Sequence, residues 1–237
     1  MSILIKSKLK PGLAHNFHNI LTGLKFVPDG KEDNVIINNN IYKLFCNNPI
    51  IIKHEKQEIL IADEKKKDII IGNSFYINLV STYFTKRIKP FILKEIKRFK
   101  KRHFNENVIS LHIRTWNSST NNDTNNQKAH TRSKFFELSQ WTSIIDNEKY
   151  RDKRFFVAID DENIKPKLKQ KLDDRVFFYE RNGNNEINKY KSVEKQLIYD
   201  FIEMYLLSQC KVMIGGQSGF FRFATFFANE NNKVICI

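Results

Sequence analysis

A histidine and an arginine stand at the end of a strongly apolar segment, VISLHIR, which covers residues 108–114. The run of Val, Ile and Leu predicts a buried β-strand. Alternate residues of a strand share a face, so His112 and Arg114 are expected to point the same way where the strand ends. The permanent charge and planar fork of Arg114 fit phosphate oxygens. The alternative is a solvent-facing Arg114 beside a His112 that packs in the core.

Two carboxylates, Asp160 and Asp161, directly follow a second apolar segment, FFVAI at residues 155–159. One of them could accept a hydrogen bond from a sugar hydroxyl. Alternatively, Asp at this position caps the helix that is predicted to begin near Ile164. Together with Glu162 the two also form an acidic cluster of the kind that binds Mg²⁺ or Mn²⁺. All three interpretations stay open on the sequence alone.

A glycine-rich segment, GGQSGF at residues 215–220, joins a predicted strand to a predicted helix. Glycines let backbone N–H groups approach a ligand closely, and a helix N-terminus favours phosphate. Ser218 can cap this helix, and Arg222 lies on its first turn. The spacing fits neither a phosphate-binding Walker loop, nor GxGxxG, nor the hydrolase elbow GxSxG. A tight turn without a ligand is the alternative.

A long helix is predicted over Val193–Cys210, apolar almost all round. Its polar exceptions, Gln196, Asp200 and Glu203, fall on one narrow stripe. Carboxylates on a mostly buried helix need partners. These partners are either structural Arg or Lys side chains or a ligand in a cleft.

The elements that would position these candidates alternate between strand and helix. Strands are predicted at 108–113, 155–159, 176–179, 211–214 and 234–237, with helices at 135–145, 164–172, 193–210 and 219–228. This rhythm indicates an α/β fold with a parallel sheet. The polar segment 117–127 is predicted to be a loop.

The amino-terminal part shows a similar but shorter pattern. Strands are predicted at 2–8, 34–37, 50–53, 58–62 and 68–71, with helices at 15–26 and 75–84. We therefore expect two domains, an α/β lobe over 1–104 and a second α/β lobe over 105–237.

The composition of the chain excludes several classes of protein. With 41% hydrophobic and 13% aromatic residues among 237, the chain is not globally disordered. No apolar stretch approaches the roughly 20 residues of a membrane span, and lysines occupy the place of a signal peptide's apolar stretch. Three widely spaced cysteines predict neither disulfides nor a zinc site. The net charge of +14 is compatible with nucleic acid, an anionic membrane or a phosphate-bearing substrate.

The most basic segment is residues 86–102, with nine Lys/Arg and one acid, Glu95. Beyond Pro90 its apolar residues recur at helical spacing, which predicts an amphipathic basic linker helix. Such a helix could lie on an anionic membrane. A solvated surface helix is the interpretation that charge runs usually favour.

Three segments, ISLHIR, FFVAIDDENI and FIEMYLLSQCKVMIGGQSGFFRFA, occur in this order over residues 108–237. In order and spacing this stretch resembles the carboxyl-terminal half of the fucosyltransferase-like superfamily, which includes α1,6-, α1,2- and protein O-fucosyltransferases. The segment PGLAHNFHNILTGLKF, with Gly12, His15 and Asn16, is similar to the opening loop of that superfamily.

The resemblance implies a GT-B-like fold, with two Rossmann-like lobes on parallel sheets, the amino-terminal lobe being small and on the acceptor side. It implies inverting, metal-independent transfer from a GDP-sugar, usually GDP-fucose, to an oligosaccharide or lipid-linked glycan, with no cofactor. It places Arg114 at the leaving diphosphate with His112 beside it, and Asp160 or Asp161 at the nucleoside or sugar. Glu203 matches an acidic position on the long helix, and with Arg114 it is a catalytic candidate. The donor loop is matched by Gln217, Ser218, Gly219, Phe220 and Arg222.

The residues leave other functions open. A metal-dependent transferase would use Asp160, Asp161 and Glu162, and a basic nucleic-acid-binding protein would use the net charge, although no nucleic-acid-binding motif is present. A family member without activity is a further alternative. The base that activates the acceptor is undecided between Glu203, Asp161 and the 117–127 loop. Without a signal sequence, we expect a cytoplasmic protein, with peripheral membrane contact through 86–102.

Overall fold

The computed structural model describes residues 3–6, 13, 35–38, 44, 58–60, 80, 84–114, 138–181, 184–216, 218–229 and 231–237. The chain divides into two compact units. One comprises Met1–Arg98, Arg181–Ile202 and Thr225–Phe227, and the other comprises Phe99–Glu180, Glu203–Ala224 and Ala228–Ile237. The boundary expected near residue 104 stays a prediction.

The first unit contains a three-stranded parallel sheet. Its strands are β1 (Ile3–Lys6), β2 (Val35–Asn38) and β3 (Glu58–Leu60), in the order β2-β1-β3. β1 is central and pairs in parallel with both neighbours. The strands expected at 2–8, 34–37 and 58–62 are thus confirmed. The segments 15–26, 50–53, 68–71, most of 75–84 and the 117–127 loop lie outside the described residues.

The second unit contains a five-stranded parallel sheet. Its strands are β4 (Val108–Ile113), β5 (Arg154–Ile159), β6 (Val176–Phe177), β7 (Val212–Gly215) and β8 (Lys233–Cys236). Their spatial order is β6-β5-β4-β7-β8, and every pairing is parallel. β4 is buried along its whole length, because a parallel sheet covered by helices has no solvent-facing side. The α/β class with parallel sheets is therefore confirmed.

Six α-helices have both ends within the described residues. They are α1 (Pro90–His103), α2 (Leu138–Ile145), α3 (Lys165–Leu172), α4 (Asn185–Asn188), α5 (Ser192–Leu207) and α6 (Gly219–Phe226). In the second unit, Trp141 of α2 and Leu168 of α3 belong to one buried cluster with Leu111 and Val157 of the sheet. No helix among these residues is long and apolar enough to cross a membrane.

The helix α1 buries one face and exposes the other, as its pattern predicts. Pro90 occupies the first helical position, where a missing N–H does no harm. Ile92 and Ile96 are buried, and the ring of Phe99 lies 5.7 Å from that of Phe156 and 5.4 Å from that of Tyr179. The apolar face of α1 therefore belongs to the protein interior.

Candidate functional site

The strand order of the second sheet has one topological switch point. From β4 the chain proceeds to β5 and β6 on one side, and then crosses to β7 and β8 on the other. The order reverses between β4 and β7, and in open α/β sheets ligands bind at the carboxyl ends of the strands at such a switch point. Arg114 follows β4, Asp160 follows β5 and Ser218 follows β7 by three residues. The topology thus places these three candidate residues, which were predicted from the sequence, at the same edge of the sheet.

His112 is buried beneath this edge. It is 3% exposed, and its register partners are Ala158 on β5 and Gly215 on β7. Its ring stacks on Phe220, at 5.2 Å between centroids, and on Phe221, at 6.1 Å. Burial lowers the pKa of His112 to about 3, with the charge of Arg114 adding to the effect and that of Asp160 opposing it. The imidazole is therefore neutral at physiological pH.

Ser218 joins His112 to the first turn of α6. Its Oγ accepts a hydrogen bond from the N–H of Phe221 at 3.1 Å and lies 3.3 Å from Nδ1 of His112. A hydroxyl that accepts at its oxygen still has its proton to donate, and a neutral imidazole offers one nitrogen as acceptor. The expected helix cap is present, and the bond to His112 was not predicted.

Gly215 is required by the close approach of α6 to β7. A Cβ at this position would lie 2.6 Å from Cδ2 of the Phe221 ring, whereas a Cβ on Gly216 would lie 3.9 Å from the carbonyl oxygen of Ile237. Phe221 is fully buried. The first glycine of the GGQSGF segment thus serves packing, which seats the first turn of α6 against the sheet.

Arg114 and Asp160 form an ion pair across neighbouring strand ends. Nη1 of Arg114 lies 3.0 Å from Oδ2 of Asp160, and the two side chains are 37% and 18% exposed. The pair follows from the register, because Ile113 and Ile159 are partners in the parallel ladder. Arg114 is therefore accessible from solvent, as anion binding requires, but already has a carboxylate at one nitrogen.

The acidic segment after β5 does not converge on one point. Asp161 caps the 3₁₀ turn Glu162–Ile164, because its Oδ1 accepts from the N–H of Asn163 at 2.9 Å. Glu162 pairs with Lys165 at 2.8 Å. Asp161 therefore caps the turn that precedes α3, whereas α3 itself begins without a side-chain cap. Among the described residues, no group of three or more His, Cys, Asp or Glu side chains is arranged to hold a metal ion.

The polar stripe of α5 divides into different environments. Asp200 pairs with Arg181 at 3.1 Å and accepts from Nε2 of Gln196 at 2.8 Å. Asp200 thus pairs with a structural Arg, which is one of the two alternatives expected from the sequence. Glu203 is buried, with 4% of its surface exposed. Its catalytic role stays a prediction.

Arg222 lies half-buried on the first turn of α6. Burial raises the pKa of the Cys236 thiol, and the nearby charge of Arg222 opposes this effect. Since Cys236 ends β8, Arg222 is also close to the carboxyl edge of the sheet. Gly219 and Phe220 begin α6. Gly12, His15, Asn16 and Gln217 lie outside the described residues.

Comparison with known proteins gives likenesses in structure only, since no family model and no curated protein matches the chain. A structure of the fucosyltransferase NodZ from Bradyrhizobium matches at 18% identity and a TM-score of 0.40, over 60% of this chain and 43% of that one. NodZ α1,6-fucosyltransferase soaked with GDP-fucose matches at 17% identity and a TM-score of 0.45, over 92% of this chain and 61% of that one. The same enzyme co-crystallised with GDP matches at 15% identity and a TM-score of 0.44.

These likenesses to NodZ have TM-scores of 0.40–0.45. The chain spans about three fifths, or less, of the length of these NodZ chains.

Proposed function

We propose that the chain is a glycosyltransferase that takes its sugar from a GDP-sugar, and that this donor is GDP-fucose. The observation that carries the proposal is the position of Arg114, a partly exposed guanidinium at the switch point of a doubly wound parallel sheet. Nucleotide ligands bind at this place in such sheets. The donor sugar itself is proposed from the sequence resemblance.

The leaving group explains why a fixed positive charge is needed. When a sugar departs from a nucleoside diphosphate, positive charge develops on the sugar and negative charge on the diphosphate. A guanidinium is a permanent cation, and that of Arg114 can give two parallel hydrogen bonds to phosphate oxygens. It therefore stabilises the transition state more than the ground state. We propose that transfer inverts the sugar's configuration.

His112 and Ser218 are proposed to hold the second phosphate-binding group, the N-terminus of α6. Ser218 engages the N–H of Phe221, and its contact with His112 fixes the cap against β4. The N–H groups of Gly219 and Phe220 begin the helix, where the backbone dipole favours an anion. Because His112 is neutral, it orients Ser218 without adding a titrating charge beside Arg114.

Metal independence and the acceptor are further parts of the proposal. Metal independence is supported by Asp160, Asp161 and Glu162, each of which has a separate partner. We propose that Glu203 removes the proton from the acceptor hydroxyl. Glu203→Gln is then expected to lower kcat without changing the affinity for GDP. The proposed acceptor is an oligosaccharide or lipid-linked glycan, and the proposed location is the cytoplasm.

Calorimetric titration with GDP tests the donor site, with EDTA in one series and Mn²⁺ in another. We expect binding in both, and Arg114→Ala is expected to weaken it about 10- to 100-fold, the value of a charge-assisted bidentate contact. Arg151→Ala removes an equal charge from a side chain that is 79% exposed, and we expect it to change nothing. Release of GDP from GDP-fucose with a mixed glycan acceptor then tests turnover.

Three results would count against the proposal. Failure of GDP to bind in either series removes the donor site. Binding in Mn²⁺ alone favours the metal-dependent alternative. Equal behaviour of Arg114→Ala and Arg151→Ala removes Arg114 from the donor site.

A further inference from the structure

Five basic side chains form a continuous stripe along the exposed side of α1. They are Lys94, Lys97, Arg98, Lys101 and Arg102, which we call the basic stripe, and all are exposed. Their spacing of three and four residues places them on one face of a helix. From the first to the last they cover about 12 Å, at 1.5 Å per residue.

Most charges of the basic stripe are not balanced by a carboxylate of the described residues. Two other cations of the segment 86–102 contact neutral side chains. Lys89 lies over the ring of Tyr190, and Nζ of Lys100 donates to Gln209 at 2.8 Å. Within the stripe, Arg98 pairs with the buried Glu95. For the other four, the structure shows no ion pair with any described residue. The stripe therefore carries about four positive charges that face solvent together.

The opposite face of α1 is already covered by protein. Ile92 and Ile96 are buried, Phe91 stacks on Tyr190 at 5.7 Å, and Phe99 packs on the second sheet. A helix that inserts into a bilayer needs a free apolar face. α1 has none to offer, so only its charge can reach an external surface.

We infer that α1 holds this chain on anionic lipid surfaces through the charge of the basic stripe, without insertion of apolar side chains. This inference does not depend on the proposed transferase activity. Each Lys or Arg near an anionic leaflet adds about 1 kcal/mol, which corresponds to about fivefold in partitioning. Four uncompensated charges are sufficient for reversible, salt-sensitive attachment.

A lipid surface suits the basic stripe better than a nucleic acid does. Single strands bind where aromatic rings are exposed for stacking, and sequence-specific binding to a duplex needs side chains that enter a groove and contact the base edges. The stripe holds only cations, three of them lysines, which are flexible point charges. Both phenylalanines of α1 pack against other aromatic rings. A diffuse anionic surface matches this arrangement.

Vesicle sedimentation with the full chain tests the inference. The probe is phosphatidylcholine vesicles with about one third phosphatidylserine, and vesicles of phosphatidylcholine alone serve as reference. We expect binding to the anionic vesicles only, and we expect its loss when salt rises from about 0.05 M to about 0.5 M, because screening shortens the reach of the charges.

Two charge-matched variants locate the binding surface. Lys94→Gln, Lys97→Gln, Lys101→Gln and Arg102→Gln together remove four charges from the stripe, and we expect partitioning to fall several hundredfold. The control removes four charges from exposed lysines elsewhere, as Lys167→Gln, Lys191→Gln, Lys211→Gln and Lys233→Gln. We expect the control to bind within a few-fold of the parent. Circular dichroism establishes that both variants fold.

Several outcomes would overturn the inference. Equal loss in the two variants assigns the effect to net charge and not to the stripe. Binding to neutral vesicles, or binding that survives high salt, indicates insertion. Failure of the parent chain to bind anionic vesicles removes the inference outright. Tighter stripe-dependent binding to a DNA duplex than to vesicles at the same salt assigns the stripe to nucleic acid.

Discussion

The substitution Gly215→Ala is expected to displace the first turn of α6 while its neighbour Gly216→Ala is tolerated. The added methyl at Gly215 would lie 2.6, 2.7 and 2.9 Å from three carbons of the Phe221 ring, whereas ordinary contact is 3.4–4 Å. The ring must therefore move by about 1 Å in a close-packed interior. Phe221 also donates its N–H to Ser218, so the displacement extends to the helix cap and to His112.

The size of the effect follows from the packing. Inserting a methyl group into a filled core destabilises a protein by about 1–3 kcal/mol. For a chain of this length, that corresponds to a fall in Tm of about 2–12 °C. At Gly216 the nearest atom is 3.9 Å from the added methyl and the backbone is outside the left-handed region. There the loss of unfolded-state freedom is expected to stabilise by about 0.4–1 kcal/mol.

Urea unfolding of the two variants, followed by circular dichroism, gives the comparison directly. A third variant, Gly215→Ala with Phe221→Leu, is expected to lose less stability than the sum of its two single changes, because the smaller side chain makes room for the methyl group. GDP titration of Gly215→Ala reports whether the displaced turn weakens the proposed donor site. Equal stability of the two alanine variants, or an additive double variant, would refute the reasoning.

Three further predictions concern His112, Asp173 and Ser218. Below pH 6.5 the unfolded chain protonates His112 whereas the folded chain, with a pKa of about 3, does not, so the free energy of unfolding should fall by up to about 1.4 kcal/mol per pH unit down to pH 3. His112→Asn should remove this contribution, and an unchanged slope in urea titrations would contradict it. Asp173 has a φ of 45°, so Asp173→Gly should stabilise by about 1 kcal/mol in urea unfolding, whereas Asp174→Gly should not. Ser218→Ala should lower the free energy of unfolding by about 1 kcal/mol through loss of the cap, with Ser218→Thr close to the parent in the same assay.

The elements of the second sheet could be predicted because their sequence signals are local. VISLHI forms β4 with the predicted bounds, and FFVAI lies within β5, because continuous runs of β-branched and aromatic residues are typical of strands buried on both faces. The start of α1 could also be predicted from a local signal, because the helix begins at Pro90. The first unit was predicted from weaker signals, and three of its strands are confirmed.

The contacts within the site depend on strand order, which no local signal encodes. Arg114 and Asp160 are 46 positions apart, and they pair because β4 and β5 are neighbours. The bond between His112 and Ser218 spans 106 positions for the same reason. The role of Gly215 depends on the position of the Phe221 ring, so the sequence left a ligand-binding loop and a tight turn both open, and at Gly215 the structure shows packing.

The ion pair between Arg114 and Asp160 makes binding at Nη1 of Arg114 an exchange of one anion for another. An anion that takes the position at Nη1 of Arg114 has to displace a carboxylate that is 3.0 Å away and covalently part of the chain. A singly charged ligand only replaces the charge that it displaces, while a diphosphate brings more negative charge than it removes. At the proposed donor site we therefore expect the resident carboxylate to favour ligands of higher negative charge, so that a nucleoside diphosphate competes with it and acetate or chloride does not.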